Sequence, residues 1–123
     1  MRISEAESIV MGELWARGEA TAEQLTEVLG PRQDWQEATI KTLLNRLLKK
    51  GAVRAERDGR RYRYLPVLQQ DAWVLDESSS LLQRLFGGRV APLVAHFSEH
   101  GKLSRKDIDE LRALIEELDD DEH

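Results

Sequence analysis

Thr39-Ile40-Lys41-Thr42-Leu43-Leu44-Asn45-Arg46-Leu47-Leu48-Lys49-Lys50-Gly51 is the stretch whose pattern sets the architecture of this chain. Ile40, Leu43, Leu44, Leu47 and Leu48 recur at i, i+3, i+4, i+7 and i+8, the apolar stripe of an amphipathic helix. The spacing predicts a helix from Gln36 to Lys50, closed by Gly51. At about 3.6 residues per turn, Thr42, Asn45, Arg46 and Lys49 fall on the opposite side. One face packs, and the other presents hydrogen-bond donors.

Downstream the period changes from helix to strand. Asp58-Gly59 is a two-residue turn signal of the type I′ kind. Folding about it sets Val53 opposite Tyr64 and Ala55 opposite Tyr62, with Arg54, Glu56, Arg61 and Arg63 on the other face. Arg57 and Arg60 then flank the tip. Tyr62 and Tyr64 are expected in the core, as are Trp15 and Trp35. Pro66 closes the second strand.

Upstream, Ser4-x-x-Glu7 and Thr21-x-x-Gln24 read as capping boxes opening two helices. The first carries Ala6, Ile9, Val10 and Leu14 and ends at Gly18. The second buries Leu25, Val28 and Leu29 and is expected to stop at Gly30-Pro31. Beyond Pro66 a helix from Asp71 to Phe86 carries Val74, Leu75, Ser78, Leu81, Leu82 and Leu85, ended by Gly87-Gly88. Pro92 suits the first turn of a short helix bearing Leu93, Val94 and Phe97, closed by Gly101. Ser104-x-x-Asp107 opens the last helix, with Leu103 and Ile108 as a hydrophobic staple and Ile108, Leu111, Ile115 and Leu118 at seam spacing. Three such helices enclose little apolar surface alone, so a second copy is the expected cover.

The expected fold is therefore mostly α with a small β-hairpin. Residues 1–66 form a winged helix-turn-helix domain, and residues 67–123 a three-helix dimerisation domain. The dimer contacts are assigned to Leu81, Leu82, Leu85, Phe86, Leu93, Val94, Phe97, Ile108, Leu111, Ile115 and Leu118.

Charge distribution points the same way. The 123 residues carry a net charge of −5, but residues 41–63 alone carry +7. Phosphate contacts are local, so that concentration outweighs the total. In a winged helix the third helix enters the major groove and the hairpin follows the adjacent backbone. Specificity is assigned to Thr39, Thr42, Asn45 and Arg46, residue types that read base edges. Sequence-independent affinity is assigned to Lys41, Lys49, Lys50, Arg57, Arg60 and Arg61. The partner is then double-stranded DNA. The acidic Asp119-Asp120-Asp121-Glu122 run is expected to be frayed and solvated.

The same residues admit other readings. A basic helix face opposite a leucine stripe is often only a solvated surface, which leaves a protein-interaction module as the alternative. His96-x-x-Glu99-His100 fits one zinc-peptidase pattern, but a metal site needs a third protein ligand and a cleft. No catalytic residue, cofactor or metal is assigned. With zero cysteines there is no thiolate site. No apolar run approaches the roughly 18 residues of a membrane span, and Met1-Arg2-Ile3-Ser4 does not lead into a secretory segment. A cytoplasmic location without membrane insertion is expected.

The sequence also resembles the penicillinase repressor family (the BlaI/MecI/CopY type) along nearly its whole length. The likeness is carried by Ile3-Ser4-Glu5-Ala6-Glu7, Leu14-Trp15, Trp35, residues 39–47, Lys49-Lys50-Gly51, Leu85-Phe86-Gly87-Gly88, residues 93–97 and Asp109-Glu110-Leu111-Arg112. The resemblance implies a homodimeric repressor holding inverted repeats of TACA/TGTA half-sites, controlling β-lactam-resistance-like or related stress genes. It further implies release through a membrane sensor metalloprotease system that triggers cleavage within the dimerisation domain. The family's Asn–Phe cleavage bond aligns with His96-Phe97. Three departures stand out. Histidine replaces the asparagine at that bond. The family's Ser-Pro-Lys becomes Gln36-Glu37-Ala38, where Glu37 suits a helix N-terminus but would repel phosphate. The C-terminal cysteines of the copper-responsive branch are missing.

Overall fold

The computed structural model describes residues 1–121. In chain order it holds α1 (Glu5–Arg17), β1 (Ala20–Thr21), α2 (Ala22–Gln33), α3 (Glu37–Lys50), β2 (Val53–Asp58), β3 (Arg61–Pro66), α4 (Gln70–Phe86), α5 (Val90–Glu99) and α6 (Arg105–Asp121). The chain divides into two compact units, Met1–Asp76 and Glu77–His123. The division falls inside α4 rather than at Pro66. The first turn of α4 belongs with the N-terminal unit because Trp73 packs on its core, with its ring 5.5 Å from that of Trp15.

The N-terminal unit is a winged helix. Its local starts are fixed by side chains within three residues of each other. Ser4 Oγ accepts from Glu7 N–H and Glu7 Oε1 accepts from Ser4 N–H, both at 3.0 Å. Thr21 and Gln24 repeat the arrangement for α2. Val10, Met11, Leu14, Leu25, Leu29, Ile40, Leu44 and Leu47 form the buried centre. Trp15 and Trp35 pack against it, and the Trp15 indole donates to the Leu68 carbonyl at 2.8 Å. That bond ties the chain leaving the hairpin back onto α1.

Two expected details are corrected here. First, α2 does not stop at Gly30-Pro31; it runs through Pro31 to Gln33 and ends on Asp34, at φ 57°. Trp35 N–H reaches back to the Gly30 carbonyl at 3.1 Å and closes the final turn. The Trp35 carbonyl lies 3.2 Å from where a Cβ on residue 30 would sit. Glycine therefore eases a close approach here and does not act as a terminator. Val28, expected in the core, is only half-buried.

Second, the hairpin turns on Gly59-Arg60. Asp58 pairs with Arg61, Glu56 with Arg63, Ala55 with Tyr64 and Val53 with Pro66. Positive φ occurs at Gly59 (65°) and not at Arg60, which matches a type II′ rather than a type I′ turn. The shift keeps every side chain on its expected face. It also places both carboxylates directly opposite arginines, the favourable cross-strand arrangement; the other register would have faced Arg54 with Arg63. Tyr62 moves toward the tip, opposite Arg57, and is 49% exposed instead of buried. Arg57 shares its face, 5.9 Å from the ring centroid.

The sheet has three strands, in the order β1-β3-β2. Ala20 and Thr21 pair with Tyr64 and Arg63, a strand too short for alternation to reveal.

In the second unit α4 ends at Gly87-Gly88, both at positive φ. Ser104 and Asp107 cap α6 reciprocally. The acidic run, expected to fray, continues α6 to Asp121, while Glu122 lies outside the described residues.

Candidate nucleic-acid interface

Helix α3 separates its faces as its spacing requires. Ile40, Leu44 and Leu47 have no exposed surface, whereas Thr39, Lys41, Thr42, Asn45, Arg46 and Lys49 are exposed. Gly51, in the left-handed region at φ 77°, returns its N–H to the last turn and ends the helix. The Thr42 hydroxyl donates to the Ala38 carbonyl at 2.9 Å. What remains for a base edge is its methyl group and an acceptor lone pair. Among the described residues, Asn45, Arg46, Lys49 and Arg60 make no hydrogen bond or ion pair through their side chains. They are free donors, as a DNA-reading surface needs.

The other assigned cations are engaged within the chain. Lys41 Nζ lies 3.5 Å from Glu37 Oε1, and Arg61 Nε lies 3.4 Å from Glu23 Oε2. Arg57 Nε donates to the Gly59 carbonyl at 3.2 Å. A cleft of about 120 Å³ joins helix to wing, lined by Lys41, Arg60, Arg61, Tyr62 and Tyr64 together with Thr21, Ala22 and Glu23 at the start of α2. Glu23 is a cleft residue that sequence reading did not single out. Only the tertiary fold sets it beside the wing.

Lys50 is engaged within the chain as well. Its ammonium sits 2.7 Å from Glu7 Oε1, and Glu7 is 2% exposed. Burial works to raise the Glu7 carboxyl, but the Lys50 hydrogen bond and the two Ser4 hydrogen bonds outweigh it, so the group is held below its ordinary value. Lys50 therefore neutralises a carboxylate in the core, and the stem of α3 is pinned to α1. Arg63 is similarly occupied by Glu19 (3.0 Å), Glu56 (3.3 Å) and Asp58 (3.8 Å). The Glu19 hydrogen bond leads in raising its pKa. Part of the positive stretch thus acts inward.

In the second unit no residue of α5 or α6 is buried. Leu81 and Phe97 are exposed, as are Leu85 (62%), Ile115 (57%) and Leu118 (63%); Leu82, Phe86, Leu93, Val94, Ile108 and Leu111 are half-buried. Val94, Leu103, Ile108, Leu111 and Ile115 line one open apolar groove. His96 and His100 bring their rings to 4.5 Å between centroids, and His100 Nδ1 lies 2.9 Å from the His96 carbonyl. No third ligand joins them among the described residues.

A three-helix core, a two-stranded wing and free donors on the third helix define a winged-helix domain. Residues 3–117 match the penicillinase repressor family. The chain belongs to that family. It is 33% identical over 116 residues to the penicillinase repressor of Bacillus licheniformis, covering 94% of this chain and 91% of that protein. It is 31% identical over 113 residues to the methicillin resistance regulatory protein MecI of Staphylococcus aureus (strain N315), covering 92% of each. Among solved structures, the DNA-binding domain of the repressor BlaI superposes with a TM-score of 0.53 at 33% identity, over 56% of this chain and 84% of that one.

Proposed function

We propose that the protein acts as a homodimer on inverted-repeat operator DNA, with one α3 in the major groove of each half-site. The single observation that carries this reading is the row of unpartnered Asn45, Arg46 and Lys49 beside an equally unpartnered Arg60 on the wing. Thr39, Thr42, Asn45 and Arg46 read base edges; Lys41, Lys49, Arg57, Arg60 and Arg61 hold the backbone. Half-sites about one helical turn apart would suit a symmetric pair. The open apolar surface of α4, α5 and α6 supports self-association. The protein works in the cytoplasm; among the described residues no helix is long and apolar enough to cross a membrane.

The regulated genes are of the β-lactam-resistance or related stress kind, in keeping with the relatives' names. Where release is proteolytic, through a membrane sensor metalloprotease system, the bond that aligns with the family's cleavage site is His96-Phe97, with histidine in place of asparagine. That bond lies within α5, so cleavage requires local unwinding of this short helix.

A gel-shift titration against the duplex upstream of the chain's own gene, at several salt concentrations, tests the binding. Arg46→Ala is expected to cost about 1–3 kcal/mol and relax preference at one base pair. Arg60→Ala is expected to weaken all sequences alike and reduce the salt slope by about 1. Unchanged affinity for Arg46→Ala would show that another face reads the operator. Equal affinity for a scrambled duplex would favour a protein-interaction module.

A further inference from the structure

The cleft between α2, α3 and the wing combines cations with competing anions. Lys41, Arg60 and Arg61 line it, and so does Glu23, which holds Arg61 at 3.4 Å. Lys41, at the cleft's α3 side, is held by Glu37 at 3.5 Å. Of the three cations only Arg60 is without a partner among the described residues.

We propose that Glu23 and Glu37 are built-in attenuators of DNA affinity, occupying on Arg61 and Lys41 the positions that backbone phosphates would take. The inference rests on the operator-binding reading above and adds its control elements. All four side chains are at least 45% exposed, and ion pairs of that kind contribute little to stability. Breaking them is therefore easy, and their removal leaves the fold intact. A carboxylate 3.4–3.5 Å from its cation nevertheless lies within roughly 8 Å, the screening length at physiological salt, of a phosphate bound to that same cation. It repels that phosphate whether or not the pair has opened. A cation already neutralised by a carboxylate also displaces fewer counterions from DNA, which flattens the salt dependence.

The consequence concerns discrimination as much as strength. Phosphate contacts add affinity for every sequence, and base contacts add it for one. Two carboxylates that weaken the former leave the latter, through Asn45 and Arg46, a larger share of the binding. Removing them should raise binding to any duplex.

The test compares wild type with Glu23→Gln, Glu37→Gln and the double variant. Fluorescence anisotropy would follow a labelled duplex from upstream of the gene and a scrambled duplex of equal composition. Asp109→Asn is the control, because it changes net charge equally on α6, where among the described residues Asp109 pairs with Arg105. Each glutamine variant is expected to tighten both duplexes about 3- to 10-fold at low salt and to steepen the salt slope by up to ~1. Thermal melting should stay within a few degrees of wild type. Wild-type operator binding that the glutamine variants leave unchanged would overturn the attenuator role alone. Equal tightening by Asp109→Asn would overturn it too, as an effect of net charge. Absence of wild-type binding to either duplex at low salt would overturn the operator reading itself.

Discussion

Lys50→Met is expected to destabilise the protein by about 2–3 kcal/mol at pH 7, leaving a buried carboxylate without its cation. The loss falls at or below the roughly 3–5 kcal/mol of a fully buried pair because the Lys50 side chain is itself 37% exposed. Methionine keeps much of the stem while removing the charge. Glu7 Oε1 would retain the Ser4 N–H, whereas Oε2 already has no hydrogen-bond partner. Urea unfolding followed by circular dichroism measures the loss. The pH dependence has a definite sign. In the wild type the folded Glu7 pKa is depressed below its unfolded value. Its contribution is therefore present above the ordinary carboxylate range and is lost as pH falls through the depressed value. In the variant, burial acts with less opposition and Glu7 protonates more readily. The deficit relative to wild type should shrink from pH 7 to pH 4. Lys49→Met, which removes a cation without an ion-pair partner, should leave stability nearly unchanged. A Lys50→Met protein as stable as wild type, with a salt slope for DNA reduced by about 1, would return Lys50 to the DNA face.

Ile115→Asp is expected to give a folded monomer whose affinity for a two-half-site operator falls by about 10²- to 10⁴-fold. A dimer converts its second half-site contact into an intramolecular one, and this range is what such linkage contributes. The position separates folding from assembly. Ile115 is 57% exposed in the single chain, so aspartate there meets solvent and distorts no core. Covered by a second copy, the same carboxylate would lose water without gaining a partner, a strongly unfavourable exchange. Sedimentation equilibrium reports the oligomeric state, and the anisotropy titration reports affinity. Binding to an isolated half-site should change little. A variant that remains dimeric would place the interface away from the α6 seam.

The helical elements of this chain are legible because their determinants are close in sequence. Ser4 and Glu7, Thr21 and Gln24, and Ser104 and Asp107 complete their caps over three residues. The α3 stripe recurs about once per turn, so its partition into buried leucines and exposed donors needs no knowledge of neighbours. The wing's faces were equally readable, but not its register. Moving the turn from Asp58-Gly59 to Gly59-Arg60 conserves face and changes every partner, and cross-strand charge pairing chose between them. The end of α2 was misplaced because Pro31 normally stops a helix, while Trp35, by returning its N–H to Gly30, carries the helix past it.

The candidate interface divides in the same way. From its residues alone the chain determined an amphipathic third helix with Asn45, Arg46 and Lys49 on its open side, followed by a basic wing. The fold alone decided which cations are free, since Lys50 meets Glu7 across 43 positions and Arg63 meets Glu19 across 44. Periodicity and capping act over one or two turns of backbone, so sequence displays them directly. Coulomb attraction depends on separation in space, and the packing of α1, α2 and the wing around α3 sets that separation.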